Sequence, residues 1–238
     1  MPEALSDHVV FREDCFIGSP ARIADGSVDL IITDPPYGRI VAENWDRTWT
    51  IEDQWRLTRE LERTLKPGGT AYVWGGIGKP KDRILFEWLS RVEKESFLTV
   101  WDLVTWSKRR AYGKKDRLLF TREECVMLVK GNKPATFNVP YLDQLRGYAG
   151  FNKKYPAKSE YKRRTNVWSD VTELFSGKIN PCEKPVRLSE IMIETSSSPG
   201  DLVVDFFAGA GGVAVAAKKL GRKSILFEID QNAQMRES

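Results

Sequence analysis

The hydrophobic positions of this 238-residue chain fall into short blocks set between polar, turn-rich stretches. Ser27 to Thr33 (Ser-Val-Asp-Leu-Ile-Ile-Thr) is an apolar run that stops at Asp34-Pro35-Pro36, where the prolines remove the backbone donors a sheet needs. It predicts a buried strand. From Glu52 to Leu65 the apolar residues Trp55, Leu57, Leu61 and Leu65 recur near helical spacing, and Lys66-Pro67-Gly68-Gly69 closes that helix. Thr70 to Trp74 reads as the next strand, Ile84 to Val92 as an amphipathic helix, and Phe97 to Trp106 and Glu124 to Lys130 as strands. Gly131 to Arg164 has weak periodicity and many turn formers, so irregular structure is expected there. Regular pattern returns with a helix over Pro185 to Ser196, a strand over Asp201 to Asp205, a helix over Gly212 to Leu220 and a strand over Ser224 to Glu228.

Strands alternating with helices predict an α/β fold, a mostly parallel sheet with helices on both faces. In such sheets ligands bind beyond the carboxyl ends of strands. Two segments stand at those ends: Asp34-Pro35-Pro36-Tyr37, and Asp205-Phe206-Phe207-Ala208-Gly209-Ala210-Gly211-Gly212.

Composition narrows the function. Apolar residues make up 41% of the chain and charged residues 29%, as in ordinary globular domains, and no apolar run is long enough for a membrane span. The first fourteen residues lack the basic start and apolar stretch of a secretory signal, so a cytoplasmic setting is expected. Three scattered cysteines (Cys15, Cys125, Cys182) and the single His8 exclude a zinc site of the usual spacing and leave little for histidine base catalysis.

Charge is unevenly distributed. Thr105 to Thr165 carries sixteen Lys and Arg against five Asp and Glu, a net of +11, while the remainder carries 21 basic against 28 acidic residues, a net of −7. Aromatic residues such as Trp106, Tyr112, Phe120, Tyr141 and Tyr161 are interleaved with those cations. Such a segment suits a polyanion with stackable bases, although a solvated insertion would look similar. The expectation is one domain over residues 1–238 with a basic DNA-recognition insertion at about 107–166.

The two loops carry candidate chemistry. Gly209 and Gly211 permit a tight turn with close backbone approach to a ligand, and Glu228, ending the next strand, stands where an acid can accept both hydroxyls of a ribose. A plain strand-to-helix turn is the competing reading. In Asp34-Pro35-Pro36-Tyr37 the prolines stiffen the backbone, so that a carboxylate and a carbonyl can accept hydrogen bonds from one amino group while the aromatic ring stacks on its heterocycle. A proline-rich turn is the alternative there.

Together these residues resemble the amino-group DNA methyltransferases that use S-adenosylmethionine. Asp14-Cys15-Phe16, the strand leading into Asp34 to Tyr37, Leu65 to Thr70, Arg122-Glu123-Glu124, Asn180 to Pro185 and Gly200 to Gly212 are similar to that family's landmarks, in the permuted order of its beta class. The chain departs from the family pattern at Asn180, in the place of a histidine, at Phe206, in the place of a proline, and at Gly212-Val213, where two threonines are typical. The resemblance implies a Rossmann-like methyltransferase fold acting on a base flipped out of double-stranded DNA. It implies catalysis by Asp34, Pro35, Pro36 and Tyr37, with Asp34 and the Pro35 carbonyl holding the amine and Tyr37 stacking on the base. It further implies that Asp14 and the Cys15 amide contact the cofactor adenine and Glu228 its ribose. Asp205 and nearby backbone would then face its methionine part and Lys184 its carboxylate. Phe206, Phe207, Ala208, Gly209, Gly211, Asp34 and Ile229 complete the expected cofactor contacts.

Asp in the first place of the tetrapeptide points, by the same resemblance, to adenine N6; cytosine N4 is the alternative, as is a DNA-binding protein with a degenerate cofactor site. Carbon-5 cytosine methylation is rejected because no cysteine has the Pro-Cys context of that class. A nicotinamide dehydrogenase would leave the basic segment and the tetrapeptide without a role. A closing loop is expected at Asn44 to Arg47, and a restriction-modification setting and a homodimer are in keeping with the resemblance.

Overall fold

A computed structural model describes residues 7–36, 49–76, 84–113, 115–116, 118–145, 159–174, 176–180 and 182–236. Eight strands form one sheet in the order β1-β10-β9-β2-β3-β5-β4-β8: β1 (His8–Phe11), β10 (Lys223–Phe227), β9 (Leu202–Asp205), β2 (Val28–Thr33), β3 (Leu65–Gly75), β5 (Phe120–Lys130), β4 (Leu98–Tyr112) and β8 (Val167–Trp168). The first five run parallel; β5 is antiparallel to both β3 and β4, and β8 is parallel to β4. β6 (Tyr141–Leu145) and β7 (Tyr161–Arg163) pair as a separate antiparallel ribbon within the segment expected to be irregular.

The helices cover both faces, as the alternating pattern predicts. β2 shows why. Side chains alternate across a strand, so Ile31 joins the apolar cluster with Leu57, Leu61 and Trp88, whereas Leu30 and Ile32 join the opposite cluster with Leu188, Ile191 and Val213. α2 (Ile51–Thr64) and α3 (Ile84–Glu95) lie over the first cluster; α4 (Val186–Ser196) and α5 (Gly212–Lys219) lie over the second. Leu30 and Ile31 are fully buried, each contributing roughly 1.5–3 kcal/mol relative to exposure. α2 starts at a capping box in which the Thr50 hydroxyl accepts from the Asp53 amide at 3.1 Å and the Asp53 carboxylate accepts from the Thr50 amide at 3.0 Å.

Besides β6 and β7, three elements were not legible in the pattern. β1 is only four residues, and α1 (Cys15–Arg22) holds Gly18 and Pro20, both poor helix formers. β8 is a two-residue strand. Lys66 to Gly69, expected to terminate α2 as a loop, instead belongs to β3, whose pairing with β2 shifts register between Val28 and Leu30. Lys66 ion-pairs with Asp29 at 2.6 Å, and the other Asp29 oxygen accepts from the Leu202 amide at 3.0 Å, fastening β3, β2 and β9 at their amino ends.

Candidate active site

β2 and β9 are neighbours in parallel register, Leu30 opposite Val203 and Ile31 opposite Val204. Their carboxyl ends therefore leave the sheet side by side, and these are the ends that carry Asp34 and Asp205. β9 pairs with β10 on one side; β2 pairs with β3 on the other. Strand order reverses between them, and that is where open α/β sheets form a ligand crevice. Asp14, Glu228, Asp205 and Asp34 follow β1, β10, β9 and β2 respectively, so four acids line one edge of the sheet.

The glycine loop after β9 is fixed by its own backbone. Asp205 accepts from the Phe207 amide at 3.0 Å, the Ala208 amide donates to the Phe227 carbonyl at 2.8 Å, and the Gly211 amide donates to the Ala208 carbonyl at 2.8 Å. Gly209 and Gly211 have φ of 51° and 76°, left-handed values that L residues disfavour. One Glu228 oxygen accepts from the Gly209 amide at 2.7 Å and the other from the Asp230 amide at 2.9 Å, so this acid ties the turn to the end of β10. The Asn180 amide lies near Gly209, and its Oδ1 accepts from the Cys182 amide at 2.8 Å.

Several expected cofactor residues occupy more specific places than the sequence suggested. Phe206 is buried and stacks on Phe227 at 6.0 Å, so its side chain belongs to the core and only its backbone faces outward chemistry. Phe207 packs edge-on against Trp49 at 5.5 Å and Phe16 at 6.3 Å, forming an aromatic trio beside the loop. Asp14 caps α1 by accepting from the Phe16 amide at 2.8 Å. The Cys15 thiol is buried in the core, where burial and the adjacent Asp14 push its pKa up. Ile229 is exposed. Tyr37 and the Asn44 to Arg47 segment lie outside the described residues.

Asp34 is half-buried and Pro35 buried at the end of β2. The ammonium of Lys184 donates to Asp34 and makes an ion pair with Glu123 at 3.3 Å, and Lys108 pairs with the other Glu123 oxygen. Lys184 also sits 5.0 Å above the Trp74 ring, and Lys108 5.0 Å above Trp106. Burial disfavours the charge on Lys184, yet Asp34 and Glu123 outweigh it and hold its pKa above the ordinary value. Burial likewise opposes ionisation of Glu123, but Lys184 and Lys108 keep it below the usual carboxylate range. Sequence reasoning assigned no role to Glu123 or Trp74 and placed Lys108 only within the basic segment expected to contact DNA; the signal available was the Arg122-Glu123-Glu124 landmark. His8 shares a hydrogen bond with Ser224 at 3.0 Å between the edge strand β1 and its neighbour β10, away from any of this chemistry.

Asp205 is pushed up to about 7, chiefly by burial, with the charges of Asp34 and Glu228 adding to it. Positive charge placed beside Asp205 would offset the burial and the neighbouring acids that disfavour its ionised form. A nucleoside carrying a sulfonium would supply it, and Glu228 keeps acceptor capacity for ribose hydroxyls because each carboxylate oxygen has two lone pairs. The residues present thus fit S-adenosylmethionine.

The basic segment spreads over the end of β4, the start of β5, and the β6–β7 ribbon. Some of its cations serve the fold. Lys130 donates to the carbonyls of Glu62 and Leu65, and Arg164 makes a two-pronged pair with Asp170 at 2.7 and 2.8 Å with its side chain only 5% exposed. Among the described residues no His/Cys/Asp/Glu cluster could hold a metal, and no helix is long and apolar enough to cross a membrane.

A family model described as DNA methylase matches residues 28–235. The type II methyltransferase M.HpaI of Haemophilus parainfluenzae is 29% identical over 222 residues, 88% of this chain and 67% of its own length. M.BamHI of Bacillus amyloliquefaciens is 28% identical over 229 residues, 87% of this chain, which spans about half (51%) of that relative. Among solved structures, the PvuII DNA methyltransferase, described as cytosine-N4-specific, aligns with a TM-score of 0.75 at 18% identity over 96% of this chain and 84% of its own. The M1.HpyAVI complex with S-adenosylmethionine aligns at 0.64 and 22% identity, covering 95% and 96% of the two chains.

Proposed function

From a chain that belongs to the N6/N4 family of S-adenosylmethionine-dependent DNA methyltransferases, we propose an enzyme that methylates adenine N6 in duplex DNA. The observation that carries this reading is the side-by-side placement of Asp34 and Asp205 at the ends of neighbouring parallel strands.

The cofactor supplies an electrophilic methyl group on a sulfonium. The exocyclic amine of adenine is a weak nucleophile because its lone pair is delocalised into the ring. In the proposed complex the Asp34 carboxylate and the Pro35 carbonyl would accept hydrogen bonds from the two N–H groups of the amine, favouring a pyramidal nitrogen with an available lone pair, and the proton that leaves the nitrogen on methylation would pass to Asp34. Holding two reactants in that geometry supplies much of a rate enhancement. Tyr37 would stack on the extruded base, Glu228 would hold the ribose hydroxyls of the cofactor, and Asp205 would offer negative charge to its methionine part. Asp14 and the Cys15 amide would contact the cofactor adenine. The basic segment grips phosphate and reads base edges.

Cytosine N4 offers the same kind of exocyclic amine to the same acceptors, so it is the second reading. Incubation with methyl-labelled cofactor and mixed-sequence duplex, followed by digestion to nucleosides, separates the two. Label is expected in N6-methyladenosine; label confined to N4-methylcytidine would overturn the base assignment.

A further inference from the structure

We infer that Glu123 is a positioning residue for the catalytic acid, acting through Lys184; this rests on the role given to Asp34 above. The four charges Asp34, Lys184, Glu123 and Lys108 alternate in sign through direct contacts. Their side chains are mostly covered: Lys184 retains 15% of its exposure and Glu123 17%. Trp74 and Trp106, in contact at 6.2 Å, lie beneath the two ammonium groups and limit the water that could replace their partners.

In this setting Lys184 answers to two carboxylates. Glu123, itself held by Lys108, anchors the ammonium on one side, and the ammonium in turn donates to Asp34, so the carboxylate at the end of β2 is held by a cation whose own place is fixed. With Glu123 neutral, Lys184 would lose one of its two carboxylate anchors. Asp34 would then depend on a less firmly placed cation, and its carboxylate would no longer be held toward the incoming amine. The site geometry thus depends on a residue that touches neither base nor cofactor. Glu123 and Lys108 belong to the antiparallel pair β5 and β4, whose outer ends open into the basic segment. The same pair of strands therefore connects the surface expected to hold DNA with the orientation of the acid.

This role differs from one in which Lys184 binds the cofactor carboxylate, because the two disturb different steps. The test is single-turnover transfer on mixed-sequence duplex at saturating cofactor, with cofactor Kd measured by calorimetry. Wild-type enzyme inert toward both adenine and cytosine would defeat the proposed function itself and is recognised by that control alone. In active enzyme, Glu123→Gln is expected to slow transfer about tenfold or more, since misplacement of a reacting group is costly, while Kd stays within about twofold. Its alkaline limb should move to lower pH, because Lys184 loses one of the two carboxylates that raise its pKa. Glu123→Asp, which keeps the charge, should recover part of the rate. A wild-type rate and pH profile in Glu123→Gln, or a cofactor affinity that falls in step with the rate, would overturn the inference. If Glu123→Gln does not fold, Lys108→Met decides: a slower rate at unchanged Kd supports the relay, and a wild-type rate refutes it.

Discussion

Ile31 of β2 and Val204 of β9 stand opposite each other as parallel partners, although 173 positions separate them. Asp34 lies three residues beyond the first and Asp205 one residue beyond the second. That register brings the stiff proline corner and the glycine turn to one crevice. A slip by one residue would send Ile31 into the wrong cluster, so the apolar pattern of β2 fixes the site as well as the sheet.

Asp34→Ala should lower the transfer rate at least about a hundredfold, the lower end of what a positioned proton acceptor contributes. Lys184 keeps its pair with Glu123, so the variant should fold, and cofactor Kd should change much less than the rate. Stopped-assay transfer and calorimetry check the two halves. Wild-type transfer would rule out the mechanism.

Asp205 gives a pH dependence with a defined sign. Its pKa stands at about 7 against an ordinary 3.8, so the folded protein holds a proton there that the unfolded chain releases. The contribution to stability is complete below about 3.8 and disappears as pH rises through 7. Asp205→Asn, which cannot ionise, should therefore gain Tm relative to wild type at pH 8 and lose that advantage by pH 4. Cofactor affinity of the wild type should weaken as pH falls from 8 to 6, because the protonated acid offers no charge to a sulfonium. The variant should bind weakly at both pH values.

Gly211→Ala tests the turn. With φ at 76°, an added Cβ meets Met235 only at ordinary contact distance, so the penalty is conformational and should be about 1–2 kcal/mol in denaturant unfolding. Cofactor affinity should fall with it. An unchanged midpoint would mean the loop relaxes freely.

The salt dependence of DNA binding checks the basic segment. Lys115 is exposed, so Lys115→Ala should reduce the slope of log K against log salt by about 1 if that cation meets a phosphate. Lys130→Ala should leave the slope alone and lower stability instead, because that ammonium serves carbonyls at 2.5 and 2.8 Å.

Much of the fold and of the site edge was legible. β2, β9 and β10 are compact apolar runs stopped by unmistakable breakers, and the acids at their ends follow directly. β1 and α1 were not, because no residue of the edge strand β1 is fully buried and Gly18 and Pro20 interrupt the helical pattern of α1. The partners of Lys184 were hidden for a different reason. Glu123 and Asp34 are 89 residues apart, and nothing local in either tells which cation will lie between them. The internal engagement of Lys130 and Arg164 was hidden too, since composition counts a cation without its partners.

The strand order also bears on synthesis. β2 gains its β9 neighbour only after some two hundred residues have been made, and among the described residues β1 has no sheet neighbour but β10. A nascent chain still growing toward β9 therefore carries the proline corner on an unpaired edge, with no crevice beside it. Methylating capacity arises late and all at once, when the last strands slot between the first two, and truncation short of Glu228 should yield a sticky, inert product rather than a weakened enzyme.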